Sequence, residues 1–232
     1  RPEHLYQLNI AGLPTTFPPL RTLDSFPNNL PMQLTTFIGR ETEIAEVKQE
    51  LKQHRLVTLT GSGGTGKTRL SLQIAAELLE RFDHGVWFVE LASLTNPELI
   101  PQTILSAFGI GDQPGLTSLQ LLTDYLHKRK LLLVLDNCEH LIDACAQFAN
   151  TILQNCRGVR ILASSREALG VAGEAAYRVP SLPTPKAPLD IHQLETFDSV
   201  KLFIQRATLT LPTFQLTDEN ASFVAQICSR LD

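Results

Sequence analysis

Gly61-Ser62-Gly63-Gly64-Thr65-Gly66-Lys67-Thr68 fits the pattern G-x-x-x-x-G-K-[ST] at every fixed position. These are the residue types a phosphate-holding loop needs. Glycines let the chain fold back so that successive backbone N–H groups converge on one concavity. The helix that follows contributes the positive end of its dipole. In such a loop Lys67 reaches the β- and γ-phosphates, and the Thr68 hydroxyl ligates Mg2+. The flanks agree with this reading. Leu56-Val57-Thr58-Leu59-Thr60 is an apolar, β-branched strand that runs into Gly61. Leu70, Ile74, Leu78 and Phe82 then recur at four-residue steps, with Ala75 and Leu79 beside them, which is one face of a helix. A Gly-rich turn of purely structural use would not require that strand–loop–helix context.

Outward from the loop, strand-like and helix-like periods alternate. Val86–Val89 reads as a second strand, followed by helical patterns over Pro97–Phe108 and Ser118–Lys128. Leu131–Asp136 is apolar up to its final Asp, as expected of a strand buried on both faces. Leu141, Cys145, Phe148, Ile152 and Cys156 mark the core side of the next helix. Val159–Ser164 and Ala175–Val179 read as two further strands. Val200, Phe203, Ile204 and Ala207 mark one later helix. Val224, Ile227, Cys228 and Leu231 mark another, with Thr217 as its expected N-cap. Strands alternating with helices predict a parallel sheet covered on both sides. Six of the 14 prolines fall in the first 31 residues and four lie from Pro180 to Pro188, where they interrupt helices and ladders. The expected division is an extended arm over 1–31, a nucleotide-binding domain over 32–180, and a linker with the start of a helical lid over 181–232.

Two more segments carry chemistry. A buried strand ending in Asp136 brings a carboxylate to the rim of the sheet, where it can hold a metal beside the loop. Asn137 follows where many hydrolysing ATPases place a second acid, so slow hydrolysis is expected. Glu139 is either a first-turn helix acid or a contact to water or metal. Ile161-Leu162-Ala163-Ser164-Ser165-Arg166 ends another strand with an arginine that can reach a γ-phosphate by charge-assisted hydrogen bonds, or else pair with Glu167 or solvent.

Composition narrows the rest. The chain has 232 residues, 20 basic against 24 acidic, and a net charge of −4, which argues against a nucleic-acid grip on this chain. The longest apolar run, Leu131–Leu135, is far short of the ~20 residues a membrane helix needs. The stretch from Arg1 to Pro19 lacks a signal-peptide pattern, so a cytoplasmic location is expected. Cys138, Cys145, Cys156 and Cys228 form no CxxC pair and read as buried small hydrophobes. His127-Lys128-Arg129-Lys130 reads as a solvated helix end, and Trp87 as packing.

Phe37-Ile38-Gly39-Arg40-Glu41, about twenty residues before the loop, resembles the hydrophobic-hydrophobic-Gly-Arg-Glu motif of STAND-class P-loop ATPases. Leu135-Asp136-Asn137-Cys138-Glu139-His140 and Ser164-Ser165-Arg166 are similar to segments of the NB-ARC-like modules of large bacterial regulators. This resemblance implies an α/β P-loop NTPase three-layer sandwich of ASCE type. Its parallel sheet would have the order 5-1-4-3-2, followed by helices that begin a lid. It implies Mg2+ and ATP or ADP as ligands, with Phe37, Ile38, Gly39 and Arg40 contacting base and ribose. It further implies a nucleotide-controlled switch that opens on ATP exchange, forms an ATP-dependent homo-oligomer and acts on effector and sensor domains of the same polypeptide. Relatives continue beyond the position of Asp232 into a Gly-Leu-Pro segment, a winged helix and repeats, so this chain is expected to be a piece of a longer protein. Pro2-Glu3-His4-Leu5-Tyr6-Gln7-Leu8 is similar to the tail that follows a class III nucleotide cyclase domain in some of them. A phosphoryl-transferring P-loop kinase and an ADP-holding scaffold without turnover are the alternatives.

Overall fold

The computed structural model describes residues 26–185 and 190–231. The Pro2–Leu8 stretch and most of the arm lie outside the described residues, as does part of the second proline cluster. Five strands form one parallel sheet in the order β2-β3-β4-β1-β5. They are β1 (Leu56–Thr60), β2 (Val86–Glu90), β3 (Leu131–Asp136), β4 (Val159–Ser165) and β5 (Glu174–Arg178). Read from its other edge, this is the expected order 5-1-4-3-2, and the fold is that of a P-loop NTPase.

Alternation along β3 explains why its sequence looks uniformly apolar. Leu131, Leu133 and Leu135 enter one core, while Leu132 and Val134 enter the other. The first core is closed by α3 (Ile100–Ala107), α4 (Ser118–Leu126) and α5 (Ile142–Asn155); the second by α1 (Glu41–Gln53) and α2 (Lys67–Leu78). Removing one of these leucines to Ala would cost about 2–5 kcal/mol. The expected stripe from Leu141 to Cys156 is buried throughout on the first core. Trp87 packs there too, its ring 4.8 Å from that of Phe108. In the basic run before β3, Arg129 folds back over the Tyr125 ring at 3.8 Å.

Local signals set the ends of these elements. Thr117 and Gln120 form a reciprocal capping box at the start of α4. Pro97 opens a short 3-10 turn (Pro97–Leu99), so the single helix expected there is split before α3. After β5 come α6 (Ile191–Leu194), α7 (Asp198–Thr210) and α8 (Ala221–Arg230), which share a small core of Leu194, Val200, Ala221, Val224 and Cys228. The expected cap at Thr217 is not formed. The Asn220 side chain instead accepts from the Thr217 backbone N–H at 2.9 Å, which tightens a turn, and the helix begins at Ala221.

The outer edge of β2 is also covered. The Pro27 carbonyl accepts from Val86 N at 3.1 Å. The Asn29 amide then imitates a strand, donating to Phe88 O at 2.8 Å and accepting from Phe88 N at 2.6 Å. Among the described residues no helix is long and apolar enough to cross a membrane.

Candidate functional site

β1 ends at Thr60, and the chain turns through Gly61–Gly66 into α2. Gly64 and Gly66 hold φ of 85° and 83°, a region that disfavours any Cβ, and this lets the loop double back. The Thr65 hydroxyl donates to Ser62 O at 3.0 Å and closes it. Lys67 is buried, and its Nζ donates to the carbonyls of Gly61 (2.9 Å) and Ser62 (2.8 Å). The ammonium is therefore hydrogen-bonded to carbonyls and forms no ion pair with a described residue. An anion seated in the loop would supply one.

β4 lies between β1 and β3, so its carboxyl end joins the loop to Asp136. Asp136 is only 4% exposed. Thr68 Oγ1 donates to its two oxygens at 2.8 and 2.9 Å, and Ser164 Oγ donates to Oδ1. The same Ser164 oxygen accepts from Asn137 N at 2.9 Å, holding Asn137 in a left-handed turn with φ 66°. A hydroxyl and a carboxylate in contact at the mouth of a phosphate loop make a hard-oxygen donor set that fits Mg2+. Arg166 follows β4 directly. Its exposed Nε pairs with Glu139 Oε1 at 3.4 Å, and the Asn137 amide nitrogen reaches the same carboxylate at 3.0 Å when turned towards it. Arg166 and Glu139 thus meet each other at the rim beside Asp136. Cys138 is buried beneath them, and all four cysteines are free and buried.

On the loop's other side opens a cleft of about 620 Å³. Phe37, Ile38 and Arg40 line it together with Ser62–Gly66, Leu182 and Phe203. Arg40 is 8% exposed, its Nη2 donates to Thr65 O at 2.7 Å, and its Nη1 has no hydrogen-bond partner among the described residues. Burial pushes this guanidinium below the ordinary arginine value. Gly39 (φ 67°) packs against the Asp198 side chain at the start of α7, leaving no room for a Cβ. The sequence-predicted residues therefore fall into two groups around one loop: Thr68 in the first turn of α2 with Asp136 and Arg166 at or just after strand ends, and Phe37, Ile38 and Arg40 along the cleft, with Gly39 between them packed on Asp198. Ser164, Arg69 and Arg206 were not singled out from sequence. Ser164 stood in a noted small-polar pair, whereas the two arginines gave no motif.

The sequence pattern of the family described as AAA domain matches residues 49–171, more than half of the chain. The chain belongs to the AAA-domain family. This AAA domain is 41% identical over 199 residues to an uncharacterised protein of Mycobacterium tuberculosis, covering 86% of this chain and 48% of that one. It is 43% identical over 182 residues to a protein of the same organism named as a putative HTH-type transcriptional regulator, covering 78% of this chain and 19% of the regulator. The chain thus spans about half the length of the first of these relatives and a fifth of the second. In fold it matches a STAND protein with a tetratricopeptide repeat sensor from Pyrococcus horikoshii, with TM-score 0.52 and 14% identity over 88% of this chain and 28% of that one. It also matches Cdc6p from Pyrobaculum aerophilum, with TM-score 0.51 and 17% identity over 78% and 52%. The α/β P-loop NTPase fold implied by the sequence motifs is the fold of this AAA domain.

Proposed function

We propose that this AAA domain is an ATP/ADP-binding switch module of NB-ARC-like type, with slow or absent hydrolysis, which regulates an effector carried in a longer polypeptide. One observation carries the reading. The cleft beside the phosphate loop is lined by Arg40, Arg69 and Arg206 and by no Asp or Glu among the described residues, in a chain whose net charge is −4. Such a cleft attracts a polyanion while Phe37, Ile38, Leu182 and Phe203 offer apolar surface to a base. The orphan Arg40 Nη1 supports the same reading.

Within it, Lys67 leaves the Gly61 and Ser62 carbonyls for the β- and γ-phosphates. Thr68 and Asp136 hold Mg2+, which when bound neutralises charge on the phosphates. Arg166 leaves Glu139 to meet the γ-phosphate, which distinguishes ATP from ADP. Asn137 cannot take a proton from water, so turnover is slow. The division at 32–180 and 181–232 places α7 and α8 in a lid, and ATP exchange with homo-oligomer formation would move it. The similarity to a relative named as a regulator supports an attached effector, and the charge of this chain supports placing any DNA contact elsewhere in the protein.

The test is calorimetry with ADP on the intact chain and on Lys67→Ala. The variant should lose measurable binding, and unchanged ADP affinity would overturn the assignment. The nucleotide released from the purified protein provides a second check, with retained ADP expected. An ADP-holding scaffold is the second reading, favoured by the Glu139–Arg166 contact. Phosphate release in a single turnover separates the two.

A further inference from the structure

Two guanidinium groups converge on a single threonine hydroxyl ahead of the Gly39-Arg40 segment. Arg69, in the first turn of α2, donates from Nη1 to Thr35 Oγ1 at 2.7 Å and from Nη2 to the carbonyls of Thr35 (3.0 Å) and Thr36 (3.3 Å). Arg206 on α7 donates from Nη2 to the same hydroxyl at 3.4 Å. Neither arginine forms an ion pair with a described residue. The hydroxyl accepts from both forks but cancels neither charge. Burial lowers the Arg69 guanidinium below its ordinary value, and the Arg206 charge lowers it further. Thr35 also lies where an enzyme can reach it. It follows four exposed residues, Pro31 to Leu34, in a stretch with no helix or strand. Met32 is 85% and Leu34 89% exposed, so apolar side chains stand out to solvent three positions and one position before it. Nothing in the packing of the chain uses them, whereas the groove of a modifying enzyme can.

We propose that Thr35 is a phosphorylation site, and that the phosphate group it carries is held between Arg69 and Arg206. The group comes from ATP through a Ser/Thr protein kinase. The bond from Thr35 Oγ1 to the γ-phosphorus forms and the bond from that phosphorus to the β–γ bridging oxygen breaks. ADP leaves, and the hydroxyl proton passes to the kinase's base. Phosphothreonine carries a charge of about −1.5 to −2 and three strong acceptor oxygens, and here two guanidinium forks already point at the atom that would bear it. Repulsion between the two arginines becomes attraction of both to one anion, which fastens α7 and the segment around Thr35 to α2. The site needs no bound nucleotide and stands whether or not the cleft takes one. Modification would also neutralise two of the three arginines that line the cleft, so it changes the charge the cleft presents.

The experiment places phosphothreonine at position 35 of the whole chain by genetic encoding, with no nucleotide present. Phosphorus NMR follows the titration of the group, against a free peptide of residues 31–38 that carries the same modification. Amide exchange is followed over residues 198–210. In the folded chain the titration midpoint should lie about one pH unit below that of the peptide, because two guanidinium charges favour the dianion. Exchange in α7 should slow about tenfold relative to the unmodified chain. Arg206→Gln should undo most of both effects, with Arg206→Lys between; Arg206 is exposed, so its replacement leaves the cores untouched. A midpoint equal to that of the peptide together with unslowed exchange would overturn the clamp and leave the Thr35 hydroxyl as a neutral fastening. Slowing that survives Arg206→Gln would overturn it as well. Phosphopeptide mapping of the full-length protein from its own cells, under phosphatase inhibition, tests the modification itself. Phosphate on Thr35 is expected. Phosphate on Thr36 alone, or none in the peptide that spans both, would sink the assignment.

Discussion

The Thr68 hydroxyl lies between the two carboxylate oxygens of Asp136, at 2.8 and 2.9 Å, although the residues are 68 positions apart and β1, which leads into the loop before Thr68, is not a neighbour of β3. Ser164, at the end of the intervening strand, holds the same carboxylate from beneath. Asp136→Asn keeps the shape of this arrangement and removes its charge. Affinity for ADP in EDTA should change less than about threefold. The gain on adding Mg2+, expected at about tenfold or more in the original chain, should disappear. Calorimetry with and without Mg2+ measures both quantities.

Two glycines separate backbone strain from crowding. Gly64 sits at φ 85° with open space where a Cβ would be, so Gly64→Ala should destabilise by about 1 kcal/mol through conformation alone. Gly39 has a similar φ, but a Cβ there would drive into the Asp198 side chain at the foot of α7. Gly39→Ala should cost more, about 2–3 kcal/mol, and should shift α7. Urea denaturation gives the two losses, and equal losses would count against the packing of Asp198 on Gly39.

Arg166 is 70% exposed on its side chain and pairs with Glu139 at 3.4 Å. A surface pair of this kind contributes less than about 1 kcal/mol, so Arg166→Ala should barely move the melting temperature. Its effect belongs in ligand choice. The preference for a non-hydrolysable ATP analogue over ADP should fall by about tenfold. An unchanged preference together with a lowered melting temperature would assign Arg166 to structure.

The thiols carry a pH signature. Burial pushes the Cys156 and Cys228 thiols up. A raised folded value means that the folded chain keeps protons which the unfolded chain releases from about pH 8.5. That stability is fully present below this range and is lost as pH rises through the folded values. The urea midpoint should therefore fall between pH 7.5 and 9.5, and the thiols should resist a disulfide reagent until the chain unfolds.

Most of the sheet was legible because parallel strands covered on both faces need continuous apolar runs, and Leu131–Asp136 could hardly be anything else. The phosphate loop was legible because its glycines and lysine answer a local geometric demand. Arg40 also came from a local motif, and the structure adds that its guanidinium reaches the loop carbonyl of Thr65. Arg206 was not legible. Its place depends on how α7 returns to the cleft, which no periodicity reports, and on its own helix it reads as one more exposed cation. The start of α8 was misplaced for a similar reason. Thr217 and Asn220 are both good capping types, and only the turn geometry decides between them.

Composition draws a border after Pro31, yet the hydrogen bonds of Pro27 and Asn29 reach across it to the outermost strand. A shortened protein beginning at residue 32 would keep every motif and still leave the amides and carbonyls of β2 open to solvent. A bare strand edge recruits other strands, so such a fragment would self-associate although its interior is intact. The few residues ahead of the border therefore govern whether the molecule stays in solution.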